Sequence, residues 1–365
     1  MSTVIRSSSY EIFIGNDTFI QLEKFLSKNQ LNRKLFVLVD ENTKKHCLSL
    51  IAERINLLKE ATVLEIQAGE KNKSLSSCEK LWKELTDHHA DRKSLVINIG
   101  GGVVCDVGGF VASTYMRGID FINIPTSLLA MVDASAGGKN GINFSGLKNQ
   151  VGTFTKPQSV FISPSFLKTL PERELKSGFA EVIKHALIAD VEKWNELKQV
   201  HSLTDVNWIR IIDNSVYIKN KIVTGDFRDR YKRKTLNFGH TIGHALESYS
   251  MKHDHDPLKH GEAIAFGMIG ELYLAQKMND FPEHEAAEII AFIQRLYTDI
   301  STEINTGEIL ELIRSDKKNE LSEVNFVLLK NIGEPVINQK PEDSLIKEAI
   351  EYAFQQFNNI VQQGG

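Results

Sequence analysis

Histidines and carboxylates recur in three segments of the second half of the chain, where they could hold a metal ion. The members are Glu181 with His185, His240 with His244, and His260. Catalytic zinc commonly takes three nitrogen or oxygen ligands from the protein and leaves one position for substrate. The four-residue spacing of His240 and His244 places both on one helix face. These segments predict a metal site; the alternative for any one histidine is a packing or hydrogen-bonding role in the core.

Glycines follow a β-branched run at Gly100-Gly101-Gly102 and recur at Gly108-Gly109. Glycines let the backbone approach a ligand closely, and a helix N-terminus offers free N–H groups and positive potential to a pyrophosphate. The run departs from the dinucleotide-binding fingerprint, because Cys105 stands where the third glycine is expected. This pattern is compatible with nucleotide binding and with a tight structural turn, and it does not decide between them.

A second glycine-rich segment, residues 133–143, places Lys139 among small residues. It is not a P-loop, because Asn140 stands where Ser or Thr is required. Lys139 could present its ammonium group to a phosphate, or it could be solvated. Further cations and amides are scattered along the chain, at Arg117, Lys148, Asn149, Lys184, Lys219, Lys221, Arg233, Asn237, Lys317 and Lys318. Each alone is typical of a solvated helix face, but together with the candidate metal site they favour an anionic, phosphorylated substrate.

Two kinds of secondary structure must position these residues. In the first part of the chain, β-branched runs alternate with helical patterns; the predicted strands are 34–39, 61–66, 94–99 and 121–124, with a helix at 75–85. This alternation predicts a doubly wound α/β domain with a parallel sheet. After Pro171, helical periods dominate, at 172–188, 206–223, 241–249, 262–278 and 283–297, with one short strand at 325–329. We predict a sheet domain at 1–165 and a mostly α-helical domain at 166–365, with a ligand in the cleft between them.

The composition excludes several classes of function. Lys and Arg number 43 and Asp and Glu 47 among 365 residues, so no excess positive charge is available for nucleic acid. The three cysteines, Cys47, Cys78 and Cys105, contain no Cys-x-x-Cys pair, which argues against a disulfide framework and a thiolate zinc site. The N-terminal segment lacks the apolar region of a signal peptide, and no window approaches the ~18 apolar residues of a membrane span. We therefore expect a cytoplasmic protein with neither a nucleic-acid nor a membrane partner.

Six long motifs stand in order along the chain: GGGVVCDVGGFVASTYMRG, IPTSLLAMVDASAGGKNGIN, LKNQVGTF, LPERELKSGFAEVIKHALI, LNFGHTIGHALES and HGEAIAFGM. In this order they resemble the motifs of the 3-dehydroquinate synthase family, and the resemblance runs over nearly the entire chain. It implies a dehydroquinate synthase-like fold, in which an N-terminal Rossmann-like domain holds NAD. A C-terminal α-helical domain would hold zinc, with cobalt as the alternative ion.

The resemblance also implies roles for individual residues. NAD would be contacted by Asp40, Asn42, Glu70, Lys73, Gly101, Gly102, Asp106, Thr126, Ser127 and Leu129, with Asp133 and Lys139 close by. Zinc would be held by Glu181, His240 and His260. The substrate phosphate would meet Lys139, Asn149, Asn237, His244 and one of Lys317 and Lys318, with Arg117 entering from the partner subunit of a homodimer. Lys219 and Arg233 would take the substrate carboxylate, and Asp133 and Lys184 would lie near the reacting hydroxyls.

The sequence departs from the family pattern in two places. Residues 248–259 form a segment a few residues longer than is usual between the two zinc histidines, and Asp226-Phe227 stands where an Asp-Glu pair is frequent. The longer segment carries His253 and His255, which are alternatives to His260 as third ligand. Ordering a ligand there would cost conformational entropy, whereas His260 precedes an apolar helical pattern that would anchor its backbone. We therefore expect His260 to be the ligand.

The activity implied by the resemblance is conversion of 3-deoxy-D-arabino-heptulosonate 7-phosphate to 3-dehydroquinate and phosphate, in the shikimate pathway. In the family this proceeds by transient oxidation of the C5 hydroxyl by NAD, loss of phosphate, reduction, ring opening and aldol closure. The alternatives are another sugar-phosphate cyclase such as 2-deoxy-scyllo-inosose synthase, and a metal-dependent polyol dehydrogenase that releases NADH. A non-enzymatic NAD sensor or scaffold would not need the metal ligands and the cations together.

Overall fold

The chain folds into two compact units in the structure, which is a computed structural model. It describes residues 3–7, 9–29, 33–145, 147–204, 206–298, 304–317 and 324–363. The sheet unit comprises Met1–Pro171 and Asn207–Arg228, and the helical unit comprises Glu172–Val206 and Asp229–Gly365. The fold expected from the sequence, a Rossmann-like parallel sheet and a mostly α-helical region, is confirmed.

A seven-stranded sheet forms the centre of the sheet unit in its described residues. The strands of this unit are β1 (Thr3–Arg6), β2 (Glu11–Ile14), β3 (Leu35–Asp40), β4 (Thr62–Ile66), β5 (Leu95–Gly100), β6 (Asp120–Pro125), β7 (Lys139–Phe144), β8 (Leu147–Phe154) and β9 (Ser159–Ile162). The order across the sheet is β1-β2-β9-β6-β5-β3-β4, and β7 and β8 form a separate antiparallel hairpin. Across the sheet, the six strands β2, β9, β6, β5, β3 and β4 are each parallel to their neighbours, and β1 pairs antiparallel with β2.

The strand order reverses between β3 and β5. From β3 the chain moves outward to β4 and then returns to the other side of β3 to form β5. Such a reversal leaves a crevice at the carboxyl ends of the two strands, where doubly wound sheets bind their ligands. The strands read as continuous apolar runs because both faces of a parallel sheet are covered.

The helices, in chain order, are α1 (Thr18–Asn29), α2 (Glu41–Thr43), α3 (Ser49–Ala52), α4 (Leu75–Asp87), α5 (Gly102–Thr114), α6 (Glu172–Ala189), α7 (Val191–Leu197), α8 (Trp208–Gly225), α9 (His240–His253), α10 (His260–Asn279), α11 (Glu283–Leu296), α12 (Thr306–Lys317) and α13 (Asp343–Gln363). Helices α1 to α5 and α8 belong to the sheet unit and the others to the helical unit. In the sheet unit, Leu81 of α4 and Phe110 of α5 pack against Phe36 and Val96 of the sheet. Among the described residues, no helix combines the length and the apolar character that a membrane span requires.

Helix α8 belongs to a different unit from the one that the sequence-based division at residue 165 implies. The division places α8 with the helical domain, but α8 packs against β2 and the turn Ala130–Ala134 of the sheet unit. Helical periodicity shows that a helix forms and that one face is apolar. It does not show which distant segment covers that face, so the grouping of α8 lay beyond the pattern.

Helix α10 is the centre of the helical unit. It packs against α6, α9, α13 and a short strand, β10 (Phe326–Asn331), which pairs antiparallel with β11 (Glu334–Gln339). Most of α10 between Gly261 and Ala275 is buried. A helix that is apolar on all sides is expected at the centre of a helical unit.

The predicted strands and long helices correspond to observed elements, with ends that differ by a few residues at most. The hairpin β7–β8 and strands β1, β2, β9 and β11 were not predicted. Much of β8 is exposed and polar, so it lacks the apolar run of a buried strand. The three cysteines are free and buried, which agrees with the absence of a disulfide framework.

Candidate metal centre and nucleotide-binding edge

The predicted NAD contacts follow four neighbouring parallel strands of the sheet unit. Asp40 ends β3, Glu70 follows β4, Gly101 follows β5, and Thr126 follows β6. The carboxyl ends of parallel strands meet at one edge of the sheet, and the reversal between β3 and β5 lies within this group. We call this edge the nucleotide edge. Its position is the one at which a doubly wound sheet binds a dinucleotide.

The glycines at this edge serve two different needs. A Cβ atom on Gly100 would lie 2.4 Å from the Cβ of Val104, and one on Gly108 would lie 1.9 Å from Oδ1 of Asn98. These two glycines are required by the close packing of α5 on the sheet. A Cβ on Gly101 or Gly102 would meet its nearest neighbour at 3.4 Å, an ordinary contact. Internal packing therefore does not require glycine at 101 or 102, and close approach of a ligand would explain it.

Lys73, a predicted NAD residue, is a buried cation that links another predicted NAD residue, Asp106, to a predicted phosphate residue, Asn149. Nζ of Lys73 donates to Oδ2 of Asp106 at 2.6 Å and to Oδ1 of Asn149 at 2.5 Å. Lys73 is 5% exposed. Burial raises the pKa of Asp106, and the nearby Lys73 ammonium opposes that rise. The cluster fixes the hairpin β7–β8 to the start of α5, at the nucleotide edge.

Helix α8 brings another pair of predicted residues together in the sheet unit. Nζ of Lys219 donates to Oδ1 of Asp133 at 2.6 Å and to the carbonyl oxygen of the same residue at 2.5 Å. The other predicted residues of this unit differ in exposure. Lys139, Asn149, Asn42 and Arg117 are exposed, whereas Thr126 is buried and Ser127 and Leu129 are half-buried.

Three helices converge on the candidate metal centre of the helical unit. Glu181 lies on α6, His240 is the first residue of α9, and His260 is the first residue of α10. Oε1 of Glu181 lies 3.4 Å from Nε2 of His240 and 3.5 Å from Nε2 of His260. The ring centroids of His240 and His244 are 5.0 Å apart, and nitrogens of His240, His244 and His260 lie within 4.8 Å of one another.

The donor atoms suit a zinc-type ion. Glu181 is fully buried, the Lys184 ammonium pairs with its Oε2, and its Oε1 faces Nε2 of both histidines. A buried carboxylate without such partners is costly. Two imidazole nitrogens facing it complete the mixed nitrogen and oxygen ligand set that catalytic zinc takes. His244 lies close enough to be either a further ligand or a neighbour of the bound substrate.

Charge is distributed unequally over this cluster. Burial opposes ionisation of Glu181, but the adjacent Lys184 and the histidines hold its pKa well below the ordinary value. Burial and Lys184 lower the pKa of His240. Burial also opposes protonation of His260, but hydrogen bonds to Glu181 and Glu247 outweigh it and raise the pKa to about 9. Lys184 itself is buried and paired with Glu181.

The neutral His240 has one nitrogen available for a metal. Its Nδ1 lies 3.1 Å from the carbonyl oxygen of Phe238. A proton on Nδ1 donates to that carbonyl, which leaves the lone pair of Nε2 facing Glu181. A hydrogen bond from the ring nitrogen that does not bind the metal is the usual way in which a protein fixes the tautomer of a metal-binding histidine.

The remaining predicted residues of the helical unit occupy varied positions. Arg233 is buried, whereas Asn237 and His244 are exposed. Lys317 is the last residue of α12, and Lys318 lies outside the described residues.

The longer segment before His260 does not bring its own histidines to the cluster. Nε2 of His253 lies 3.0 Å from Oε1 of Glu308, its ring packs on Tyr249, and His255 is exposed. Arg173 of α6 instead holds the segment, donating to Asp256 at 2.6 Å and to both carboxylate oxygens of Glu262 at 2.7 and 2.8 Å.

Sequence reasoning missed Glu247 and Arg173. Oε2 of Glu247 lies 3.4 Å from Nδ1 of His260. Glu247 could have been found from the sequence, because it lies seven residues after His240 and this spacing places both side chains on one face of α9. Arg173 gives no such signal, because its partner Glu262 lies on another helix.

Comparison with known proteins gives one consistent family. Residues 63–177 match the family described as 3-dehydroquinate synthase N-terminal, and residues 178–319 match 3-dehydroquinate synthase C-terminal. A 3-dehydroquinate synthase of Parabacteroides distasonis is 41% identical over 354 residues, which cover 96% of this chain and 99% of that protein. A 3-dehydroquinate synthase of Clostridium botulinum is 39% identical over 90% of this chain and 95% of its own length.

Solved structures with the same fold include other enzymes. A 2-deoxy-scyllo-inosose synthase, complexed with carbaglucose-6-phosphate, NAD+ and Co2+, superposes with a TM-score of 0.83 at 26% identity, covering 96% of this chain and 99% of its own. A glycerol dehydrogenase from Schizosaccharomyces pombe superposes with a TM-score of 0.67 at 19% identity, covering 100% of this chain and 94% of its own. At that identity the second likeness shows the fold alone.

Proposed function

This chain belongs to the 3-dehydroquinate synthase family, and from that membership we infer a lyase that converts 3-deoxy-D-arabino-heptulosonate 7-phosphate to 3-dehydroquinate and phosphate. The observation that carries this conclusion is the 41% identity to a 3-dehydroquinate synthase over 96% of the chain. Both units take part in the match, so the similarity is not limited to a shared nucleotide-binding fold.

NAD is the proposed cofactor of the nucleotide edge. When bound, it would accept a hydride from the substrate and return it later in the same turnover. The strand reversal, the N-terminus of α5 and the two glycines that packing does not require all support this assignment. The complex of the structural relative with NAD+ supports it as well. Asp40, Glu70 and Lys73 would contact the nucleotide with side-chain groups.

Zinc is the proposed metal, with cobalt as the alternative, and Glu181, His240 and His260 are its proposed ligands. A bound divalent ion would act as a Lewis acid and lower the pKa of a substrate hydroxyl. The two Nε2 atoms facing one carboxylate oxygen support this set. Lys184 remains paired with Glu181 and would hold a cation beside the reacting hydroxyls.

The proposed substrate carries a carboxylate as well as a phosphate, and buried cations would bind its carboxylate. Lys219 and Arg233 are each about 5% exposed or less, and a buried cation attracts a carboxylate more strongly than a solvated one does. Lys139, Asn149, Asn237 and His244 are the proposed ligands of the leaving phosphate, together with Lys317 or Lys318. Asp133, held by Lys219, would accept a hydrogen bond from a substrate hydroxyl.

The alternatives are less well supported. A 2-deoxy-scyllo-inosose synthase shares the fold at 26% identity, and a glycerol dehydrogenase at 19%, both well below the 41% of the 3-dehydroquinate synthase. A substrate without a carboxylate would leave Lys219 and Arg233 without their proposed partner.

Phosphate release from the heptulosonate 7-phosphate tests the proposal. We expect release with NAD in catalytic amount and no net growth of absorbance at 340 nm. Glucose 6-phosphate, which has no carboxylate, is the matched control and should release little phosphate. Stoichiometric NADH would instead support the dehydrogenase, and preference for glucose 6-phosphate would support the other cyclase.

We also propose a homodimer in which Arg117 completes the site of the partner subunit. Two successive non-glycine residues, Met116 and Arg117, have left-handed backbone angles, φ 50° and 70°, and both are exposed. Such strain is concentrated at functional positions. The hairpin β7–β8 also exposes Phe144 and Leu147, apolar side chains that a second subunit would cover.

Subunit mixing tests this arrangement. Arg117→Ala and Lys139→Ala should each be inactive as homodimers. Hybrid dimers should recover part of the activity, because one of their two sites then has both side chains. Lack of recovery after verified subunit exchange would contradict a role of Arg117 across the dimer.

A further inference from the structure

A fully buried carboxylate on α10 has no role in the proposed chemistry. Glu271 is 0% exposed, although it lies in the middle of the most apolar helix of the helical unit. Burying a carboxylate is costly unless hydrogen bonds compensate for the lost water. The bonds of Glu271 therefore indicate why it is there.

Glu271 accepts hydrogen bonds from the backbone at the start of α9. The N–H of Gly239 donates to Oε2 at 2.7 Å, and the N–H groups of Thr241 and Ile242 lie 3.1 and 3.4 Å from Oε1. The first N–H groups of a helix have no partner within the helix. Gly239, the N-cap residue, has no side chain with which to cap them. The capping group of α9 is thus supplied by another helix.

Close packing brings the carboxylate to this position. Gly239 has φ +79°, and a Cβ on it would lie 2.6 Å from Cγ of Met268. A Cβ on Gly267 would lie 2.0 Å from the carbonyl oxygen of Gly239. The two glycines let the start of α9 touch the middle of α10, one turn before Glu271. A carboxylate at a helix N-terminus is further favoured by the helix dipole.

The helices that Glu271 joins each begin with a proposed metal ligand. His240 is the first residue of α9, between the capped N–H groups of Gly239 and Thr241, and His260 is the first residue of α10. We propose that Glu271 is a positioning residue for the metal centre: by capping α9 from α10, it fixes His240 relative to His260. This inference rests on the proposed metal-binding function of the two histidines.

Zinc affinity of the metal-free protein tests the proposal without relying on activity. Competition with a chromophoric chelator would be measured for the full chain and for Glu271→Gln, Glu271→Ala and Asp190→Ala. Glu271→Gln is nearly isosteric, so it should fold even if Glu271→Ala does not. Its amide N–H₂ group would face a backbone N–H donor, so the cap of α9 should be weakened. Asp190 is the matched control, because Oδ1 caps α7 at 2.9 Å from the N–H of Glu192, and α7 carries no proposed ligand.

We expect Glu271→Gln to bind zinc roughly 10- to 100-fold more weakly, the range found when outer partners of metal ligands are removed. The visible spectrum of its cobalt form should also change, since ligand geometry changes. Asp190→Ala should lower the thermal midpoint but keep the zinc affinity and cobalt spectrum of the parent. Unchanged affinity and spectrum in Glu271→Gln, or equal weakening in Asp190→Ala, would overturn the positioning role.

Failure of the proposed function gives a different result. If the parent protein binds no zinc, the metal assignment and the role of Glu271 are both overturned. If the parent binds zinc but releases no phosphate from the heptulosonate, the proposed reaction alone fails, and the affinities of the Glu271 variants still decide the positioning role.

Discussion

The nucleotide edge of the sheet unit and the metal centre of the helical unit are built in different ways. At the nucleotide edge, candidate residues follow successive parallel strands, and several offer backbone groups or exposed side chains. At the metal centre, side chains from α6, α9 and α10 meet around one fully buried carboxylate. The first site is positioned by topology and the second by the packing of particular helices.

This difference predicts different responses to substitution. At the nucleotide edge each strand end is held by the sheet, so the loss of one contact leaves the others in place. At the metal centre Glu181 faces both histidines; Lys184 and the histidines keep its pKa low, and Glu181 in turn helps to raise the pKa of His260. Loss of one member is therefore expected to disable the whole cluster.

The largest effect is expected from His260→Ala. Removal of a ligand should release the metal and with it several kcal/mol of transition-state stabilisation, which corresponds to about a thousand-fold or more in kcat. Metal content by mass spectrometry and phosphate release from the same preparation provide the measurement. Zinc retained at the parental stoichiometry would contradict the assignment of His260 as a ligand.

Arg233→Ala should have the next largest effect. Arg233 is 4% exposed, so its contact with a substrate carboxylate would be largely desolvated. Loss of one partner of a buried, hydrogen-bonded charge pair costs on the order of 2–5 kcal/mol. We therefore expect kcat/KM for the heptulosonate to fall about 30- to 5000-fold. Arg92→Ala, at an exposed arginine, is the control, and near-parental efficiency in Arg233→Ala would place carboxylate recognition elsewhere.

Lys73→Ala tests the nucleotide edge through stability. It removes the cation beside Asp106, and breaking a buried pair costs roughly 3 kcal/mol at neutral pH. Burial already raises the pKa of Asp106, and without Lys73 the pKa should rise further. A carboxyl group whose pKa is higher in the folded state binds its proton more tightly there, so its ionisation lowers the free energy of unfolding as pH rises.

The expected defect of Lys73→Ala is therefore large at pH 7 and smaller near pH 4, where Asp106 is protonated in the variant. Urea unfolding at both pH values measures it. Adding Asp106→Asn removes the ionisable group and should abolish this pH dependence. A defect of the same size at both pH values would show that the lysine acts by packing and not by charge.

Much of the fold could be predicted from local pattern. The strands from β3 to β6 are continuous apolar runs bounded by polar residues, and helices such as α6 and α10 extend over several turns of regular periodicity. Once these strands are predicted, the positions of their carboxyl ends, and therefore of the nucleotide edge, can be predicted as well. The grouping of α8 with the sheet unit could not be predicted, because it depends on contacts between distant segments. The hairpin β7–β8 was missed for another reason: the largely exposed β8 lacks the apolar run of a buried strand.

The candidate metal centre was less accessible from residue spacing. Spacing favoured His240 with His244. Glu181 was one of several candidates by residue type, and only the family resemblance selected it, with His240 and His260, as a ligand. Glu271 shows the same limit, because its partners are backbone groups of α9. It is, however, the single charged residue in the apolar pattern 263–274, and a charge in such a place signals a buried partner.

The smallest effects are expected at the longer segment before His260. His253 is exposed, bonds to Glu308 and packs on Tyr249, and it is not part of the histidine cluster that contains the proposed ligands. Exposed ion pairs contribute little to stability, so His253→Ala and His255→Ala should keep full zinc content and shift the thermal midpoint by no more than about 2 °C. Metal analysis of these variants beside His260→Ala sharpens the contrast: zinc lost from either loop variant but kept in His260→Ala would mean that a flexible polar segment, and not the first turn of a packed helix, supplies the third ligand.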